Sequence, residues 1–327
     1  MRRRQFIAAL TSVAAWPLTA PGQAMARPVI GFIHPGSPEA AARYVAAFRK
    51  SLNEAGYVEG QNVTVEYHWL NGQYDGLPAL IADLARRQVA VIATPGSARI
   101  AQAAKAATAT IPIVFGASDD PVRLGLVASL DRPRGNATGI NYFQTEVAGK
   151  RLRLLHDLIP KAVRIAVLIN PETGPTAETT LRELQDVSPE MGLKIQVFKA
   201  ATIGEIDGAF AKIAGEHADA LFVVPDIFYA TRAVQFGVLT ARNKIPAGYW
   251  NRDIVAAGGL MSYGTDVADM FAQVGQYTGS ILKGAKPADL PVVQSTKFEF
   301  VINVQTARAL DIEVPSGLLA IADEVIE

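Results

Sequence analysis

From residue 27 onward the chain alternates short runs rich in β-branched and other apolar residues with longer stretches in which apolar residues recur every three or four positions. The first pattern fits a strand buried on both faces, and the second fits a helix lying on a sheet. PVIGFI, NVTVEY, VAVIAT, IPIVF and ATGINY read as strands, with helices expected to start near Pro38, Asp75, Ser97, Val122 and Glu146. The pattern then begins again. VRIAVLI, LKIQVF, ADALFVV, IPAGYW and GGLMSY read as strands, with helices over 175–190, 203–215 and 229–243 between them. Such alternation implies parallel sheets covered on both faces. Two successive sets imply an α/β protein of two similar Rossmann-like lobes, with the first boundary around 139–142.

Several strands end in a turn of a common kind. HPGSPEA follows VIGFI, TPGSARI follows VAVIA, GASDDPV follows IPIVF, and NPETGPT follows RIAVLI. In an open parallel sheet these turns gather at the carboxyl edge, where ligands bind. Helix-start N–H groups there attract anions, and Ser or Asp can cap them or accept from a ligand. Turn geometry alone also selects Gly, Pro and Ser, so a single such turn carries little weight. Within GASDDPV, Asp120 precedes Pro121 and is expected to cap a helix over 122–130, while Ser118 and Asp119 stand on the turn itself.

Composition narrows the class. The chain has 327 residues, 50% hydrophobic and 19% charged, with 31 basic and 31 acidic side chains. That is ample for two domains, and it leaves no basic field of the kind that binds nucleic acid. The first 26 residues differ from the rest: a basic start, an apolar stretch ending near Leu18, and Ala24-Met25-Ala26 have the layout of an export signal. Arg3-Arg4-Gln5-Phe6-Ile7 resembles a twin-arginine motif, although a general secretory route is equally open. There is no cysteine, so disulfides, thiolate chemistry and a lipid-modified cysteine anchor are all absent. The expected location is the periplasm.

Enzyme signatures are missing as well. No phosphate loop, nucleophile elbow or dinucleotide fingerprint occurs, and the four histidines (His34, His68, His156 and His217) have no metal-ligand spacing on one helix. Only His34 follows a strand in a turn, from which it can face a ligand.

Longer stretches go further. FRKSLNEAGYVEGQNVTVEYHWLNGQYDGLPALIADLARRQVAVIAT, AAKAATATIPIVF, DPVRLGLVASLDRPRGNATGI, LIPKAVRIAVLINP and VINVQTARALDIEVPSGLLAIADEVIE closely resemble the ABC-transporter substrate-binding proteins of the tryptophan/tyrosine type. One departure is visible: such sequences usually read Pro-Gly-Gly-Asn where this one has Pro133-Arg134-Gly135-Asn136. The resemblance implies a type I periplasmic binding fold, with a ligand cleft between the lobes and three chain crossings. The first lobe would comprise residues 27–140 plus about 265–295, and the second 141–264 plus about 296–327. By the same resemblance the ligand-binding residues would be Ser37, Thr94, Ser97, Ser118 and Asp119 in the first lobe and Asn141 at the crossing. Asn170, Glu172, Asp226, Trp250 and Tyr263 would serve in the second. Glu172 at a helix start and Trp250 at a strand end also have purely structural explanations. The expected function is a monomeric solute receptor of an ABC importer, working with an inner-membrane permease and without cofactor, metal or catalysis. It would bind an amino acid or an aromatic carboxylate by lobe closure, with an anionic group on the first-lobe turns and a cationic one on Glu172 and Asp226. A ligand-sensing module docking on a membrane receptor would use the same fold and pocket.

Overall fold

The computed structural model describes residues 27–142, 147–173 and 175–327; the expected export signal over 1–26 lies outside the described residues. Thirteen strands run in chain order: β1 Val29–His34, β2 Thr64–Trp69, β3 Val91–Thr94, β4 Ile113–Ala117, β5 Ala137–Asn141, β6 Arg164–Ile169, β7 Lys194–Lys199, β8 Ala220–Val223, β9 Ala247–Tyr249, β10 Met261–Thr265, β11 Val293–Gln294, β12 Phe298–Asn303 and β13 Glu324–Ile326. They form two sheets, ordered β11-β5-β4-β3-β1-β2 and β13-β12-β10-β9-β8-β6-β7. Every described pairing is parallel except β10 with β12. The chain passes from the first sheet to the second after β5, returns after β10 to add β11, and leaves again to add β12 and β13.

The return after β10 is anchored by close helix packing. Helix Val267–Leu282 buries Met270, Phe271 and Val274 in the same core as Phe32, Tyr44 and Phe48 of the first sheet and helix Pro38–Glu54. A Cβ on Gly275 would stand 2.4 Å from the Phe48 carbonyl oxygen, so only glycine lets the two helices approach this closely. Central strands β3, β4 and β5 are buried along their full length, as parallel strands covered on both faces must be.

Two expected helices come out differently. Residues 121–126 form turns, not the start of a helix over 122–130. Gly125 adopts φ +70°, which ends the first turn, and the Lys105 ammonium takes up the carbonyls of Gly125 and Leu126. Asp120 still caps, accepting from Val122 N at 2.8 Å, but what it caps is a turn. The expected helix over 229–243 is two pieces, Ile227–Ala230 and Ala233–Asn243. Thr231 Oγ1 donates to the Phe228 carbonyl at the break, and Asp226 caps the first piece by accepting from Tyr229 N.

Candidate functional site

Between the carboxyl edges of the two sheets lies a cavity of about 390 Å³. Of the site residues expected from sequence, Ser97, Ser118, Asp119, Glu172, Asp226 and Trp250 line it. The other five do not. Ser37 caps helix Pro38–Glu54 and faces the outer rim, and Asn170 accepts from Glu172 N beside an outer chamber. Thr94 and Asn141 are buried at the ends of β3 and β5 behind the lining. Tyr263 belongs to the second lobe's core, its ring stacked 6.0 Å from Phe298 with the Lys150 ammonium over it. Its position in β10 turns the ring toward helix Ala148–Leu158, whose Arg151 donates to the Tyr263 carbonyl at 2.7 Å. Of the two aromatics expected beside it, Tyr142 lines the cavity, and Phe143 lies outside the described residues.

Asp119 follows β4 on the turn GASDDPV and is 1% exposed. Its Oδ2 accepts from Thr176 Oγ1 at 2.6 Å, across the cleft, while Oδ1 has no hydrogen-bond partner among the described residues. A buried carboxylate oxygen without a donor is costly, and a ligand donor relieves that cost. The Ser118 hydroxyl also lies 3.3 Å from Thr176 Oγ1. Opposite, Asp226 accepts from Thr173 Oγ1 at 2.5 Å and from Tyr229 N at 2.9 Å. Burial raises its carboxyl above the usual range, and these hydrogen bonds oppose the shift. Glu172 stands exposed at the rim on the short helical turn Pro171–Thr173.

The charges of the wall are therefore uneven. Asp119, Glu172 and Asp226 supply three carboxylates against one guanidinium, that of Arg99. Carboxylates come from both lobes, so the second wall is not alone in offering partners to a cation. The first lobe carries Asp119 as well as its helix-start donors.

Several lining residues escaped sequence reasoning. Arg99 stands two residues after Ser97, within the quoted TPGSARI, and its guanidinium lies 4.2 Å from the Tyr74 ring centre. Its place within a candidate turn was a usable signal. Tyr44 and Phe271 sit inside amphipathic helices and read there as core. Tyr44 reaches across the cleft, donating to Asp253 at 2.6 Å and accepting from Asn251 Nδ2 at 2.9 Å, while Arg43 pairs with the same Asp253 at 3.2 Å. Burial and the Asp253 charge both raise the Tyr44 hydroxyl's pKa, keeping it a donor. No group of three or more His, Asp or Glu side chains suited to a metal ion occurs among the described residues. Nor is any described helix long and apolar enough to cross a membrane.

Two lobes of parallel sheet, three crossings and a cavity at the facing carboxyl edges define the periplasmic-binding-protein class of ligand receptor. Residues 29–326 match the ABC transporter substrate binding protein family, and the chain belongs to it. Its family is one of substrate-binding proteins rather than enzymes. The chain is 28% identical over 271 residues to a tyrosine-binding protein of Clostridioides difficile, covering 81% of this chain and 76% of that one. It superposes with a TM-score of 0.83 on a Streptococcus pneumoniae ABC domain in complex with L-Trp, at 25% identity over 92% of this chain and all of that one. Against a ligand-free, open substrate binding protein with adhesive properties from Clostridium difficile the TM-score is 0.65, at 25% identity, with 91% of this chain and 99% of that one covered.

Proposed function

We propose that this protein is the extracytoplasmic solute receptor of an ABC importer, closing its lobes on a small solute with an ammonium group and an apolar or ring portion, an amino acid above all. The observation that carries this reading is the Asp119 carboxylate: 1% exposed, one oxygen unpartnered, facing a cavity with more carboxylates than cations. An ammonium satisfies Asp119, and Asp226 on the other wall adds to the negative field of the cavity. The solute's carboxylate falls to Arg99 and the start of helix Ala98–Ala107, and Trp250, Tyr142 and Phe271 offer apolar and ring surface. Without the ammonium, an aromatic carboxylate would leave Asp119 unsatisfied.

Closure follows from groups contributed by both walls. Thr176 meets Asp119, and Asn251 and Asp253 meet Tyr44, only when the lobes are together. A solute touching both walls favours that arrangement over the open one, and a permease reads the closed shape. The better superposition on a ligand-bound relative than on an open one supports reading this structure as the closed state. The export-signal layout of residues 1–26 and the family's use outside the cytoplasm support a periplasmic location.

Isothermal titration and thermal melting of residues 27–327 against amino acids, aromatic acids, short peptides, sugars and nucleosides test the reading. A solute at 100 times its Kd stabilises the fold by about 2.7 kcal/mol, a plainly visible shift in Tm. Binding confined to sugars or nucleosides would refute the amino-acid assignment.

A further inference from the structure

His34 closes β1 and is 3% exposed, with its imidazole packed among Phe32, Trp69 and Phe271. Gly36 N donates to its Nδ1 at 3.0 Å, so Nδ1 is the bare nitrogen and the ring proton sits on Nε2. Burial among apolar rings pushes its pKa down to about 3, so the ring is neutral at any pH the protein meets. Nε2 has no acceptor among the described residues, although the residue lines the cavity. The result is a single fixed N–H donor at the floor of the cleft, placed by sheet order on the far side of β3 from Asp119.

Its surroundings show what that donor faces. Gly96, on the turn after β3, adopts φ +88°, and a Cβ there would lie 3.9 Å from His34 Nε2. Ser97 and helix Ala98–Ala107 follow immediately, with Arg99 on the cavity wall. Donors thus gather around this turn: the His34 N–H, the helix start and the Arg99 guanidinium. Asp119 stands apart from them on its own turn after β4, with β3 between it and His34.

We infer that His34 is a specificity-determining residue whose Nε2–H donates to the carboxylate of the bound solute, selecting solutes that carry an acceptor oxygen. Resting on the amino-acid reading of the pocket, the inference adds the residue that reads the anionic end. A neutral donor suits this task, because a charged imidazolium would also attract Asp119 and Asp226 and disturb the ammonium end.

The test compares L-tyrosine, L-phenylalanine and tyramine, which lacks the carboxylate, by calorimetry on wild type, His34→Phe and His34→Asn. Phenylalanine keeps the ring stack; asparagine keeps an acceptor for Gly36 N but is too short to reach the cavity, and melting curves verify that each variant folds. The expected result is a loss of roughly 10- to 100-fold for both amino acids in both variants, with tyramine unchanged. Equal losses for all three ligands would reduce His34 to packing and overturn the inference. Loss of only the tyrosine-over-phenylalanine preference would place the donor on the ring hydroxyl, overturning the carboxylate assignment. Should none of the three bind wild type, the amino-acid reading falls, and nitrogen NMR of His34 still decides the donor: a proton on Nδ1, or a charged ring at pH 6, would overturn it.

Discussion

The two walls of the cleft are built alike but loaded differently. Each is a set of turns at the carboxyl edge of a parallel sheet, yet the second wall largely satisfies itself. Thr173 donates to Asp226, Asn170 accepts from Glu172 N, and Asn251 accepts from Asp253 N. On the first wall, Asp119 Oδ1 is buried with no partner among the described residues, and His34, a buried residue lining the cavity, uses only Nδ1 in a hydrogen bond. Unmet hydrogen-bonding capacity in a low-dielectric site is stability given up for affinity. The first lobe therefore holds the groups that gain most from a solute, and the second supplies a preformed cover.

The largest expected effect tests the loading of the first wall by pH. His34 has a folded pKa of about 3 against an ordinary value of 6.5. Between those values the unfolded chain binds the extra proton, so this contribution to stability is complete above pH 6.5 and drains away as pH falls toward 3. Urea unfolding should show wild type losing roughly 3 kcal/mol more than His34→Phe between pH 6.5 and 4. Equal losses would mean that the ring is not held neutral by burial.

Next in size is Asp119→Asn, which keeps an oxygen for the Thr176 hydroxyl but removes the charge. Titration with an ammonium-bearing solute should show affinity reduced about 10- to 100-fold while Tm stays level or rises. A drop in Tm with affinity intact would make Asp119 a structural residue and erase the contrast between the walls.

Tyr44→Phe probes the contact between them. Deleting the hydroxyl that joins Asn251 and Asp253 should weaken solute binding about 3- to 10-fold, seen as faster release by stopped-flow fluorescence. Unchanged release would show that closure does not depend on this bridge. The smallest effect lies away from both walls. Arg134 has φ +49° in the Pro133–Asn136 turn, a left-handed backbone that favours glycine. Arg134→Gly should raise unfolding stability by about 0.5–1 kcal/mol and leave affinity untouched, a control for the other three.

Strands β1 to β10 were legible, because a strand buried on both faces must be apolar throughout, and central parallel strands such as β3 and β4 are the clearest case; β11, β12 and β13 were not read from the sequence. The segment 121–130 was misread because its apolar spacing imitates a helix, while Gly125 ends the first turn by its backbone conformation. Turns likewise marked Ser97, Ser118, Asp119 and Glu172 as wall residues, since topology places every strand-to-helix turn at the same edge, whereas Asp226 came from the family resemblance alone. That rule does not say which turn residues point inward, and so Ser37 and Thr94 were placed with them.

By itself, then, the sequence determined the class of protein, two stacked sets of strand and helix with ligand turns at their carboxyl edges, because hydrophobic periodicity and turn chemistry are local. Only the tertiary structure decided the site's chemistry. Tyr44 and Asn251 stand 207 residues apart and meet at 2.9 Å, and His34, whose Nδ1 accepts from Gly36 N and so leaves the ring proton on Nε2, lies against rings from β1, β2 and helix Val267–Leu282. Burial and hydrogen-bond direction depend on what packs from elsewhere in the chain, and no local pattern carries that information.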